Sequence, residues 1–69
     1  MFLIDLPSES DGVILSCDFV HLQKNGCAEN KQFRVLSKSP SGRPIIVMIG
    51  NVIFCVPEHE ARMIKVRRL

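Results

Sequence analysis

Ile45-Ile46-Val47-Met48-Ile49-Gly50-Asn51-Val52-Ile53-Phe54-Cys55-Val56 is the stretch that decides the fold. Two runs rich in β-branched and aromatic residues flank a Gly-Asn dipeptide, the pattern of a hairpin closed by a two-residue turn. That turn pairs Ile49 with Val52, Val47 with Phe54 and Ile45 with Val56. The alternate residues pair Met48 with Ile53 and Ile46 with Cys55 on the opposite face, because side chains alternate along a strand. Both faces are apolar, whereas a lone antiparallel sheet normally keeps one face wet. One face therefore serves the core. The other, carried by Ile46, Met48 and Ile53, is expected to pack against further protein, and a homo-oligomer is expected.

The segment after the hairpin, Pro57-Glu58-His59-Glu60-Ala61-Arg62-Met63-Ile64-Lys65-Val66-Arg67-Arg68, admits two readings. Proline first, acids next and bases last suit a helix and its dipole. One turn at 57–61 followed by a strand with Ile64 and Val66 inward suits the alternation of 63–67, and is preferred. Residues 52–66 resemble the closing piece of SH3-like and Sm-like small barrels. In those folds a strand ends at a proline, a single 3₁₀ turn follows, and a short strand closes the barrel. The Sm signature, with its Asp and Asn in the central loop, is absent from this sequence. The resemblance implies a fold and leaves function open.

Outward from there, turn signals recur at Pro7–Gly12, Asn25-Gly26 and Ser39–Gly42. Between them lie candidate strands at 2–6, 13–23, 27–38, 44–49, 52–56 and 62–67. For 13–38 we expect a hairpin with Gly26 left-handed in a three-residue loop. That register puts Cys17 opposite Phe33, Leu15 opposite Val35 and His21 opposite Glu29. Val13, Leu15, Cys17, Phe19, Phe33 and Val35 would then share the buried face. The expected fold class is all-β: a small antiparallel five- to six-stranded barrel or strongly bent sheet, with 57–68 as a short helix in the second reading.

With 69 residues there is room for one domain. At 46% hydrophobic residues and a net charge of +2, the composition excludes a disordered chain. No run approaches the roughly 18 apolar residues of a membrane span. Met1–Pro7 lacks the basic start of a secretory signal. We expect a cytoplasmic protein of bacterial, phage or plasmid origin. Cys17, Cys27 and Cys55 are odd in number, which suits thiols rather than a disulfide framework.

No phosphate-binding glycine motif is present. Cys17/His21 and Cys55/His59 share a C-x₃-H spacing, and both residue types ligate zinc. Four residues of strand span roughly 13 Å, however, too far for one ion. No metal, no cofactor and no enzymatic activity are expected.

Charge is uneven. Residues 1–30 are acidic through Asp5, Glu9, Asp11, Asp18 and Glu29, and residues 31–69 are basic. Arg34, Lys38, Arg43, Arg62, Lys65, Arg67 and Arg68 form the candidate nucleic-acid-binding set, since such cations supply the phosphate contacts of non-specific affinity. The expected function is a small regulatory protein contacting nucleic acid, RNA before DNA. The alternative is a protein–protein interaction module that docks on a host protein and modulates it. Convergence of the basic residues on one surface favours the first. Pairing with acids of the same chain favours the second.

Overall fold

The Gly50-Asn51 hairpin forms in the register read from sequence. In a computed structural model describing residues 1–38 and 44–69, strands β3 (Ile45–Ile49) and β4 (Val52–Val56) pair through all five expected partners. Gly50 takes φ +61° at the first turn position, where primed hairpin turns want glycine. Ile45, Val47, Ile49, Phe54 and Val56 are buried, and Ile46, Met48, Ile53 and Cys55 face outward. The expected Ser39–Gly42 turn lies outside the described residues, as does Arg43.

The chain then follows the turn-plus-strand reading. Pro57 caps a single helical turn, α2 (Glu58–Ala61), and β5 (Lys65–Arg68) returns to the sheet. Ile64 and Val66 are buried, as the alternation requires. Strands β1 (Asp11–Ser16) and β2 (Gln32–Lys38) complete five antiparallel strands in the order β4-β3-β2-β1-β5. Register shifts between Ile14 and Ser16, and between Val35 and Ser37, are bulges that bend the sheet. Residues 2–6 are not a strand. They form a 3₁₀ turn at Leu3–Asp5, with Phe2 as a single bridge to Lys65.

The expected hairpin at Asn25-Gly26 is corrected. Val20–Gln23 is a helical turn, α1, and the β1–β2 connection runs through it. The Gly26 N–H donates to the Gln23 carbonyl at 3.1 Å, and the Cys27 N–H donates to the Leu22 carbonyl at 3.0 Å. That pair of bonds is a Schellman cap with glycine at its left-handed position, here φ +114°, and Leu22 against Cys27 as its apolar contact. Asn-Gly thus ends a helix instead of turning a hairpin.

Strand β1 consequently pairs elsewhere: Asp11 with Arg34, Gly12 with Phe33, Val13 with Gln32. Gly12 and Ile14 are its buried residues, Val13 is half-buried, and Leu15 is 45% exposed. The core gathers Ile14, Phe33, Val35, Ile45, Val47, Phe54, Val56, Ile64 and Val66 from the sheet. Leu3, Leu6 and Ala61 seal it from the turns, and Cys17, Leu22 and Cys27 from the α1 excursion.

Candidate functional site

The basic residues of the candidate set that are described do not gather into one free surface. Lys38 is half-buried, and its Nζ donates to the carbonyls of Ile4 at 2.5 Å and Leu6 at 3.4 Å. It holds the N-terminal turn onto the sheet. Arg34 reaches across to Asp11, with Nη1 at 3.2 Å from Oδ1 and 3.3 Å from Oδ2. Arg62 donates to Glu58 Oε1 at 2.6 Å, one helical turn back. Lys65, Arg67 and Arg68 stand exposed on β5, with no side-chain partner among the described residues. Lys65 and Arg67 leave on one side of that strand and Arg68 on the other, since β5 alternates around buried Val66.

The apolar outer face of the β3–β4 hairpin is a more continuous feature. Met48 lies opposite Ile53 and Ile46 opposite Cys55. Ile53 is 62% exposed and Val52, at the turn, 46%. Two clefts flank this face. One, of about 440 Å³, is lined by Pro44, Cys55, Pro57, Glu58, His59 and Arg62. The other, of about 480 Å³, is lined by Asp11, Gln32, Phe33, Arg34, Met48, Gly50 and Leu69. Strand alternation delivers the apolar row, and Pro57 with its helical turn delivers one cleft wall.

Of the two C-x₃-H pairs, Cys55 and His59 both line the cleft of about 440 Å³, whereas Cys17 and His21 part company. Cys17 is buried while His21 is exposed and bonds Glu60 Oε1 at 3.2 Å, not the expected Glu29. That contact ties α1 to α2 across 39 residues of sequence, a link no local pattern announces. His59 lies 3.9 Å from the other Glu60 oxygen. Among the described residues, no three His, Cys, Asp or Glu side chains gather as metal ligands. Cys27 neighbours Cys17. Burial, and then the adjacent Cys17, pushes the Cys27 thiol up from its ordinary value of 9.0 to about 12. It is inert at neutral pH. Cys55, by contrast, is exposed on the outer face. No helix among the described residues is long and apolar enough to cross a membrane.

A bent five-stranded antiparallel sheet, closed by strand, proline, helical turn and short strand, is an SH3-like small β domain. Within that class the chain belongs to the FeoA domain family, whose pattern it matches over residues 1–68. It is similar to the FeoA protein of Chlorobium tepidum, with a TM-score of 0.91 and 24% identity over 100% of this chain and 70% of that one. The iron(II) transport protein A of Clostridium thermocellum gives a TM-score of 0.88 at 23% identity. It is covered over 46% of its length, so the present chain spans about half of that protein. Stenotrophomonas maltophilia FeoA, in complex with zinc, gives 0.82 at 25% identity over 96% of this chain and 88% of that one. That protein is described as a procaryotic SH3 domain protein and a candidate activating factor for ferrous iron transport. A comparison with curated proteins gives no match.

Proposed function

We propose that the chain is an SH3-like accessory module of ferrous iron transport that acts by docking on a protein partner. The observation that carries this is the apolar outer row of Ile46, Met48, Ile53 and Cys55, set between two clefts. Exposed apolar surface of this kind, rimmed by polar groups, marks interaction sites. Family membership supplies the iron-transport setting.

The nucleic-acid reading loses its basis. Arg34 and Arg62 are paired with acids of the same chain, and Lys38 is spent on backbone carbonyls. Single-strand binders also stack bases on exposed aromatics. Of this chain's phenylalanines, Phe33 and Phe54 are buried and Phe2 and Phe19 are half-buried. The free β5 cations Lys65, Arg67 and Arg68 are better assigned to acidic groups on a protein partner. The module works in the cytoplasm and modulates its partner without catalysing a reaction.

The test is ferrous iron uptake in cells whose own copy is replaced by variants. Ile46→Lys with Met48→Lys is expected to abolish the stimulation of uptake while the purified protein stays folded. Arg67→Ala with Arg68→Ala is expected to lower it in part, and to leave the chain without measurable affinity for random RNA or duplex DNA. Full uptake with the Ile46/Met48 variant refutes the proposal.

A further inference from the structure

The two edges of the sheet are treated differently. β5 ends one side, and its free flank is already occupied. The Val66 N–H donates to the Met1 carbonyl at 3.0 Å, the Leu3 N–H donates to the Ile64 carbonyl at 2.9 Å, and Phe2 bridges Lys65. What remains uncovered carries Arg67 and Arg68. Coverage and charge are the usual protections of an edge strand.

β4 ends the other side and, among the described residues, has neither protection. Its residues, Val52 to Val56, are all uncharged and apolar. The hairpin register fixes which backbone groups are free. With a two-residue turn, Ile49/Val52, Val47/Phe54 and Ile45/Val56 exchange hydrogen bonds, and the intervening pairs do not. The N–H and C=O groups of Ile53 and Cys55 therefore point away from β3. Among the described residues no backbone group meets them.

We infer that this edge is a dimerisation site, occupied by β4 of a second copy of the chain running antiparallel to it. The strand is its own complement. About a two-fold axis at Phe54, Ile53 pairs with Cys55 of the second copy and Cys55 with its Ile53. All four outward groups on each chain are then satisfied. The next outward positions are Asn51, in the turn, and Pro57, which has no N–H to offer. They fall opposite one another, so the register closes without an orphan donor. Sliding the axis to Ile53 sets Cys55 against the turn at Asn51. Sliding it to Cys55 sets the Ile53 carbonyl against Pro57. Each loses bonds, and only the Phe54-centred register keeps them all.

The side chains agree with the backbone. On the outer face the row Met48, Ile53, then Cys55 and Ile46 of the second copy becomes continuous across the joint. No charge enters the pairing. The strand is short, so the buried area falls below that of a standard stable interface, and a dissociation constant of about 0.1 mM is expected. This dimer uses the strand edge and does not depend on the transport partner.

Sedimentation and residue-resolved amide exchange of the full chain, both under reducing conditions and from about 10 µM to about 1 mM, test it. With that dissociation constant the weight-average mass is expected to rise from about 1.15 to about 1.8 times that of the monomer across that range. The Ile53 and Cys55 amides, fast in the dilute protein, are expected to slow about fourfold in the concentrated one, in step with the fall in free monomer. Ile53→Lys is expected to remove both effects, and Lys65→Glu on the opposite edge to leave both intact. A monomer at the highest concentration overturns the inference. So does a dimer in which those two amides exchange at the monomer rate, or one that Ile53→Lys leaves unchanged.

Discussion

Gly12→Ala will destabilise the domain, for a reason of space rather than backbone freedom. Gly12 sits in β1 opposite Phe33 and Arg68. A Cβ there would lie 2.6 Å from Phe33 Cζ, 2.8 Å from its Cε1 and 2.8 Å from the Arg67 carbonyl oxygen. Ordinary contacts begin near 3.4 Å. The ring is 4% exposed and enclosed by core, and the carbonyl belongs to a paired strand, so neither can retreat freely. Overpacking of this kind costs about 1–3 kcal/mol. Loss of glycine's freedom in the unfolded chain returns about 0.4–1 kcal/mol. The net, about 1.3 kcal/mol at the middle of both ranges, lowers Tm by about 5–10 °C in a domain of this size. With no Trp or Tyr to report by fluorescence, far-UV circular dichroism is the assay. Phe33→Leu removes the crowding ring atoms, so Gly12→Ala should cost distinctly less in that background, with the carbonyl contact remaining. A Tm within about 2 °C of the parent, or an equal cost in both backgrounds, refutes the packing account.

Further outcomes follow from other sites. Gly26→Val should cost about 1–2 kcal/mol although nothing lies within 4 Å of the added atom. The penalty is backbone strain at φ +114°, and Gly26→Asn should cost less in the same melt. Lys38→Met should cost about 1–3 kcal/mol by stranding the Ile4 and Leu6 carbonyls. Its amide exchange should quicken first at Asp5 and Leu6, and a change confined to β2 would contradict the assignment. In the folded chain iodoacetamide should modify Cys55 well before Cys27; equal rates would contradict the burial. The Cys27 thiol is raised in the folded state and ordinary in the unfolded one, so the unfolded chain loses its proton first. Stability is then unaffected below about pH 8 and falls as pH rises through 9.0 toward about 12. Denaturant midpoints at neutral pH and near pH 10 check the sign.

What could be read in the sequence was whatever depended on neighbours. The β3–β4 register followed from one tight turn and a period of two. Turn-plus-strand at 57–68 followed from Pro57 and the alternation around Ile64 and Val66. Asn25-Gly26 misled because the same dipeptide chemistry serves a hairpin turn and a helix cap; both want a left-handed glycine. The choice fell to Leu22 and Cys27, whose mutual burial only the folded chain reveals. With that excursion in place β1 shifts, and Leu15 exchanges its expected burial with Ile14. The Lys38 contact with Ile4 and Leu6, and the His21 contact with Glu60, join distant segments, so charge pattern alone showed the residues without their partners.

The pairing of β1 with β5 also sets an order of events. Gly12 meets Arg68, so β1 lacks its second neighbour until the chain has been made through β5. During synthesis the β2–β3–β4 meander, with its short connections, can assemble first, while β1 and the Leu3–Asp5 turn wait with their apolar residues uncovered. Closing so long a loop is slow for a domain of this size, because its entropy is lost before any contact repays it. The interval before residues 65–68 emerge is therefore when this chain is most exposed to aggregation and proteolysis, and β5 is the strand whose arrival ends it.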